Sequence, residues 1–172
     1  MGDRTGRPNH EHYKHFTIKF IWLFLVCSLS FENQAYNKYC NYRFQFCIEY
    51  PTSFIGQGES FNEDGQIFHS SDRRTEIRAY GSDASERSLT GEYNLVRKDI
   101  TVTYAVVGKT FFIISGTDTA GRTTYHKTVK RVISNYQQGK NAPVFQTLEI
   151  TCPSSDSSFY RTYCKEISKS LQ

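Results

Sequence analysis

Apolar and polar side chains alternate along several short segments of this chain. The clearest is Arg43–Tyr50 (RFQFCIEY), in which Phe44, Phe46 and Ile48 share one face. A period of two is typical of a half-buried β-strand, and Pro51 ends the pattern because proline cannot donate a ladder hydrogen bond. The same reasoning predicts further strands at Gln66–Ser70, Thr75–Gly81, Thr101–Val107, Thr110–Ser115, Thr123–Ile133 and Val144–Thr151.

Two other segments favour a helix. Asp83–Val96 has a polar, helix-tolerant composition, and Ser155–Leu171 carries an apolar stripe at helical spacing. Short turns between consecutive strands imply antiparallel pairing. We therefore predict an α+β fold, with an antiparallel β-sheet of about six to seven strands and two flanking helices. A mean hydropathy of −0.56 excludes a polytopic membrane protein.

The N-terminal region has a different character. Phe20–Leu29 (FIWLFLVCSL) is a continuous apolar run, preceded by Lys14 and Lys19 and followed by small polar residues. It is shorter than the roughly 20 residues that span a bilayer, and its layout is that of a secretory signal peptide. We expect residues 1–35 to be a signal peptide or an uncleaved anchor. Residues 36–172 would then form a single domain in the periplasm or secreted.

Four cysteines follow that segment, namely Cys40, Cys47, Cys152 and Cys164. An even number in an exported chain indicates disulfides, and four cysteines allow three connectivities. The short spacings favour two local pairs, Cys40–Cys47 and Cys152–Cys164. Free buried thiols are less favoured outside the cytoplasm, and so is a zinc site, since the chain has no CxxC pair.

The segment Gly56–Asp72 (GQGESFNEDGQIFHSSD) is rich in glycine and acidic residues. A phosphate loop would need a lysine and a following helix, and a calcium loop would need ligands at alternate positions. Neither condition is met. Asn62, Asp64 and Gly65 are instead turn-forming residues before a strand. Together with Glu59 they make a candidate surface loop.

No motif in the chain indicates catalysis, since G-x-S-x-G and H-E-x-x-H patterns are both missing from the sequence. His126 lies on a predicted strand, where a histidine is usually structural. The basic cluster Lys127–Lys130–Arg131 lacks the interleaved exposed aromatics of a nucleic-acid surface. We therefore predict no catalytic, cofactor-binding or metal-binding residue, no cofactor, no nucleic-acid partner, and no integral membrane domain beyond the N-terminal segment.

The segments FCIEYPTSF, GQGESFNEDGQIF and IRAYGS resemble a family of small exported bacterial proteins of uncharacterised function. In that family a strand ending in Tyr-Pro leads into a Gly-Glu-x-x-Asn-x-Asp-Gly loop. The later segments VTYAVVGKTFFIISGTDTAGRTTYHK and LEITCPSSDSSFYRTYCKEISKSL resemble its last strands and helix. The resemblance covers Tyr39 to Leu171. Cys152-Pro153 departs from the family's Tyr-Pro and, with Cys164, supports a local disulfide.

The predicted strand order also resembles the PsbP-like fold. That fold is shared by the oxygen-evolving-complex subunit PsbP, a Ran-binding nuclear import factor and bacterial secretion adaptors. The resemblance implies a protein that binds other proteins rather than one that catalyses a reaction. These proteins share no functional motif that matches this chain, so the resemblance implies no site residue.

We therefore predict an exported, non-enzymatic protein-binding or accessory module of the bacterial envelope, whose partner is another envelope or secreted protein. One alternative is an immunity or inhibitor protein against an exported toxin. A second is a carrier of a small apolar ligand, held between the sheet and a helix. A third is an enzyme with a non-standard site built on Glu59, Asp64 and His126.

Overall fold

The computed structural model describes Gly2 and residues 35–136 and 139–171, so the predicted signal segment lies outside the described residues apart from Gly2 and Ala35. The described residues from Ala35 onward form one compact unit. The elements in chain order are β1 (Tyr36–Asn41), β2 (Phe46–Pro51), β3 (Phe54–Glu59), β4 (Gly65–Ser70), β5 (Glu76–Asp83), α1 (Leu89–Val96), β6 (Ile100–Val107), β7 (Phe111–Asp118), β8 (Thr123–Ile133), β9 (Ala142–Cys152) and α2 (Ser157–Ser170).

Seven strands form one antiparallel sheet in the order β3-β4-β5-β9-β8-β7-β6. The strands β1 and β2 form a separate antiparallel hairpin. The last strand in the chain, β9, lies at the centre of the sheet between β5 and β8. The predicted α+β class, with an antiparallel sheet and two helices, is confirmed.

Three strands and one helix boundary differ from the sequence-based expectation. The strand predicted over Arg43–Tyr50 begins only at Phe46, because residues 43–45 lie in the turn of the β1–β2 hairpin. The segments β1 (YNKYCN) and β3 (FIGQGE) were not predicted as strands, because neither has the apolar alternation of Arg43–Tyr50. The helix α1 begins at Leu89 rather than near Asp83, because β5 continues to Asp83 in its pairing with Val144. Ser88 then caps the helix by accepting a hydrogen bond from the Gly91 N–H at 2.9 Å.

One face of the sheet, here called the apolar face, carries the core. Alternate side chains of the central strands point to this side and are at most 2% exposed, as for Phe68, Ile77 and Leu148. The β1–β2 hairpin and α2 both cover this face, and they add the buried side chains of Phe44, Phe46, Ile48, Ile167 and Leu171. A polar side chain also helps to anchor the hairpin, since Gln146 Nε2 donates to the carbonyl oxygen of Phe44 at 2.8 Å.

The opposite face, here called the polar face, carries the other half of each alternating strand. Cross-strand neighbours on it include Arg78, Glu149 and His126, which are register partners across β5, β9 and β8. The short helix α1 lies on this side, where the ring of Tyr93 meets the edge of Phe112 at 5.6 Å between centroids. The described part of α1 buries no residue completely, so the polar face has the thinner cover.

Candidate functional site

The carboxylate of Glu59, at the start of the candidate loop, is held by the β1–β2 hairpin. Tyr39 Oη donates to Glu59 Oε1 at 2.7 Å, and Asn41 Nδ2 donates to the same oxygen at 3.1 Å. Asn41 Nδ2 also donates to the carbonyl oxygen of Glu63 at 2.9 Å. Burial and the hydrogen bond to Glu59 raise the pKa of Tyr39 above its usual value. Glu59 therefore ties the hairpin to the loop.

The remaining loop residues also have structural partners. The carbonyl oxygen of Asn62 accepts from Arg43, and the Asp64 carboxylate accepts from the hydroxyl of Ser60. Gly65 is buried, and a Cβ at this position would lie 2.2 Å from the carbonyl oxygen of Ala79. Gly65 therefore allows β4 to approach β5 closely. Glycine is needed at this position for that close approach, and not only to form a turn.

A shallow pocket of about 310 Å³ lies beside this loop, on the polar face of the sheet. Its lining includes Asp64, Arg78, Tyr80 and Glu149. Burial raises the pKa of Glu149 above its usual range, although Arg78 acts in the opposite direction. Burial also raises the pKa of Tyr80 to about 12. The pocket thus holds titratable groups, but a histidine is not among the residues that line it.

His126 lies away from this pocket, in the interior of the polar face. Its side chain is 5% exposed, and burial lowers its pKa to about 4. The Nε2 atom lies 2.9 Å from the hydroxyl of Thr128, which lies 3.0 Å from the hydroxyl of Thr147. The ring stacks on Phe112 at 5.6 Å between centroids. Glu59 and Asp64 are among neither these partners nor these contacts, so the three residues of the enzyme alternative do not form one site.

The four cysteines have two different fates. Cys40 and Cys47 form a disulfide across the β1–β2 hairpin, with their Cα atoms 4.1 Å apart. Cys152 and Cys164 carry free thiols, so the expected Cys152–Cys164 bridge is not present in the structure. Burial raises the pKa of Cys152 to about 11 and that of Cys164 to about 12. Both thiols are thus protonated at neutral pH, and the thiol is the less reactive form.

A larger groove, here called the α2 groove, lies on the apolar face between α2 and the outer strands β6–β8. Its volume is about 730 Å³, and both free thiols line it. It exists because α2 packs mainly against β2, β8 and β9 and leaves the inner side of β6 and β7 uncovered. Sequence reasoning placed a ligand carrier's cavity between sheet and helix without naming these residues, since the position of α2 over the sheet is not encoded in any local pattern.

The edge strand β6 was also not identified as a functional candidate. It is the last strand of the sheet, and its side chains are exposed almost throughout, including Val102, Tyr104 and Val107. The available signal was the segment ITVTYAVV, which is apolar on both faces and contains no charged residue. An interior strand would explain that composition equally well.

Two further features limit what the site can be. Among the described residues, no group of three or more histidine, cysteine, aspartate or glutamate side chains is placed to hold a metal ion. Within residues 35–136 and 139–171, no helix has the length and apolar character needed to cross a membrane.

Comparison with known proteins bears on the fold. The chain matches no protein-family model and no curated protein at the sequence level, so its resemblance to a family of small exported bacterial proteins stays a prediction. It is similar to the solution structure of cyanobacterial PsbP (CyanoP) from Synechocystis sp. PCC 6803. The TM-score is 0.57 at 11% sequence identity, over 83% of this chain and 95% of that chain. The chain has a PsbP-like fold.

Proposed function

We propose that this protein is an exported, non-enzymatic binding module of the bacterial envelope, and that a partner protein adds an extended segment to the sheet at β6. The resemblance to PsbP-like proteins, which implies protein binding, supports this class. The observation that carries the proposal is the exposed, uncharged edge of β6. An immunity or inhibitor protein against an exported toxin is a specific case, in which the toxin would supply the segment.

The edge strand has the properties of a template for pairing. Its outward N–H and C=O groups have no strand partner among the described residues, because β6 is terminal in the sheet. Val102, Tyr104 and Val107 are 39%, 56% and 51% exposed. Proteins usually protect such edges with charges or proline, and β6 has neither between Ile100 and Val107. An extended peptide can add to such an edge through main-chain hydrogen bonds.

An irregularity in β6 indicates which part of the strand can pair with the partner segment. The register between β6 and β7 shifts between Val102 and Tyr104, and the extra residue, Thr103, donates its hydroxyl to the carbonyl oxygen of Ser115 at 3.2 Å. A bulge of this kind interrupts the ladder. The uninterrupted part of the edge is therefore Tyr104–Val107, and we place the partner segment there.

The proposal is tested by capture of partners from an envelope extract with the full chain. The double variant Ala105→Lys/Val107→Lys puts two charges on the edge without touching the core or the α2 groove. Ile55→Lys/Phe61→Lys is the matched control, because those side chains are 63% and 102% exposed at the other end of the sheet. We expect one stoichiometric protein to bind the wild type and the control in moderate salt, and to be lost with the β6 variant.

A photo-reactive residue at Ala105 provides a direct readout of the same contact. We expect it to cross-link to the captured protein, since Ala105 is exposed in the uninterrupted part of β6. A protein that binds the β6 variant as strongly as the wild type would place the interface elsewhere. Capture of no protein, together with a turnover that depends on His126, would replace the binding module by the enzyme alternative.

A second candidate function, the transport or sensing of a small ligand, is favoured by a separate observation. The α2 groove has about 730 Å³ of space, which lies within the usual range of about 300–1,000 Å³ for small-molecule sites. The groove shares Tyr104 with the β6 edge, so the two candidates are tested with variants of other residues.

A further inference from the structure

The α2 groove has an apolar interior formed by neutral side chains. Ile113 and Ile150 lie on its floor, and the rings of Tyr104, Tyr125 and Tyr160 line it. Burial raises the pKa of Tyr125 to about 12, so that its hydroxyl is uncharged at neutral pH. No aspartate or glutamate is among the residues that line the groove. The interior therefore suits the apolar part of a ligand, such as an aromatic ring or a short acyl chain.

Two cations lie on the rim of the same groove. Arg161 and Lys165 are one helical turn apart on α2, and both side chains are exposed. Neither forms an ion pair with another residue in the described part of the chain. Two nearby lysines already have partners within the protein. Lys169 forms an ion pair with Glu166 at 2.8 Å, and Lys127 Nζ donates to the carbonyl oxygen of Ser168 at 2.6 Å. Glu166 interacts electrostatically with Lys165 without forming an ion pair with it, so the rim carries a net positive charge next to an apolar interior.

We infer that the α2 groove binds a small amphiphilic anion. Its apolar body contacts the tyrosine rings, and its carboxylate or sulfonate lies against Arg161 and Lys165. Positive charge at the mouth of an apolar groove stabilises such a ligand over its uncharged analogue, because the charge-assisted contacts are added to the same apolar burial. This inference rests on the second candidate function, whose ligand class it names, and its site shares Tyr104 with the β6 edge.

A matched pair of fluorescent probes tests it with the full chain. 8-Anilinonaphthalene-1-sulfonate carries the anion, and N-phenyl-1-naphthylamine has the same rings without it. We expect Arg161→Gln/Lys165→Gln to weaken binding of the sulfonate about tenfold, as expected for two partly exposed charge-assisted contacts. Binding of the uncharged probe should change by less than about twofold, since the apolar lining is intact.

Two further variants separate a site from general charge and from loose structure. Lys98→Gln/Lys109→Gln removes the same charge outside the groove and should leave both probes unaffected. Ser115→Phe places a ring on the floor between Tyr104 and Tyr125 and should abolish binding of both probes. Thermal unfolding by circular dichroism confirms that each variant is folded.

Specific outcomes would overturn the inference. The first is equal weakening of sulfonate binding by the two glutamine pairs, which would indicate general attraction. The second is unchanged sulfonate binding in Arg161→Gln/Lys165→Gln, which would remove the anionic part of the ligand. The third is full binding of both probes to a folded Ser115→Phe, which would place them outside the groove. None of these results affects the test of the β6 edge.

Discussion

The two faces of the sheet are built from the same strands but closed in different ways. On β9, Leu148 points to the apolar face and is fully buried beneath the β1–β2 hairpin and α2. Its neighbour Thr147 points to the polar face and is only 2% exposed. On β9 the alternation therefore places an apolar side chain on one face and a polar side chain on the other, but both side chains are buried. Polar residues on the second face are also removed from water, with only α1 for a helical cover.

Burial on the polar face requires internal hydrogen bonds. The side chains of His126, Thr128 and Thr147 form a short chain of contacts at 2.9 Å and 3.0 Å, which satisfies groups that water would otherwise bind. Stability thus comes from apolar contact area on one face, and from matched polar groups together with the buried Phe112, Ile114 and Phe145 on the other. The difference predicts that substitutions on the apolar face cost the most, and that His126 makes the polar face lose stability as pH falls below 7.

The largest effect is expected for Leu148→Ala on the apolar face. Removal of a fully buried leucine side chain leaves a cavity and should lower the free energy of unfolding by about 3 kcal/mol. Thr147→Val, one residue away on the polar face, removes one hydroxyl contact and should cost about 1 kcal/mol. Urea denaturation of both variants measures the contrast. Equal losses would mean that the two faces do not differ in the way described.

The next effect concerns the hairpin that closes the apolar face. The variant Cys40→Ser/Cys47→Ser should lower the free energy of unfolding by about 2.5 kcal/mol, because the unfolded chain gains the entropy of an open loop. Thiol titration of the denatured full chain gives an independent check. Within residues 35–136 and 139–171 the structure predicts two free thiols, those of Cys152 and Cys164, whereas a second disulfide would leave neither of them free.

The free energy of unfolding should depend on pH because of a buried histidine on the polar face. The pKa of His126 is lowered from 6.5 to about 4 by burial, so between these values the unfolded chain binds a proton that the folded protein does not. Its contribution to stability is therefore complete above pH 6.5 and is lost as pH falls toward 4. Between pH 7 and pH 5 the loss should be about 2 kcal/mol.

The matched variant for this prediction is His126→Gln, which keeps a polar group beside Thr128. Other titrating groups, including Glu149 with its raised pKa, contribute to both proteins and cancel in the comparison. Denaturation curves at several pH values should show the extra loss in the wild type alone. Parallel curves for the two proteins would mean that His126 is protonated in the folded state as readily as in the unfolded state.

The smallest stability effect is expected outside both closed faces, at the β6 edge. Ala105→Lys/Val107→Lys should change the free energy of unfolding by less than about 0.5 kcal/mol, as is usual for exposed positions. Thermal unfolding of this variant is also the control for the loss of partner binding. A large destabilisation would show that the edge is part of the core, and that its substitution says nothing about a partner.

Much of the fold was predictable from local patterns. The alternation in FCIEY and in the later strands predicted their secondary structure and their antiparallel pairing, and the apolar stripe predicted α2. Residues 43–45, which were included in the first predicted strand, form the turn of the hairpin instead. The strand β3 was not predicted, because Gly56 and Gly58 weaken its apolar alternation. Its extended conformation is stabilised by pairing with β4, which local sequence does not reveal. The position of β9 between β5 and β8 depends on contacts between segments that are distant in sequence, so no local pattern predicts it.

Less of the candidate site was predictable. Asn62 and Asp64 lie in the turn between β3 and β4, whereas Glu59 ends β3 and Gly65 begins β4 as a buried residue. The ties of Glu59 to Tyr39 and Asn41 depend on the unpredicted strand β1. The α2 groove depends on where a helix lies over a sheet, which packing decides. Cys152 and Cys164 show the same limit, since their close spacing favoured a disulfide whereas the structure has two free thiols, one buried and one partly buried.

The central position of β9 has a consequence for the order of assembly. The strands β3–β5 and β6–β8 are each joined by short connections and can pair locally as the chain appears, but the two sets meet only through β9. Until residues 142–152 arrive, β5 and β8 each present an open edge and the core has no central layer. Such non-local pairing is slow, and incomplete sheets with free edges are prone to aggregate. When the chain emerges N-terminus first, the sheet can therefore be completed only after β9 has emerged. A truncation before β9 would leave two separate sets of strands with unpaired, aggregation-prone edges rather than a smaller folded domain.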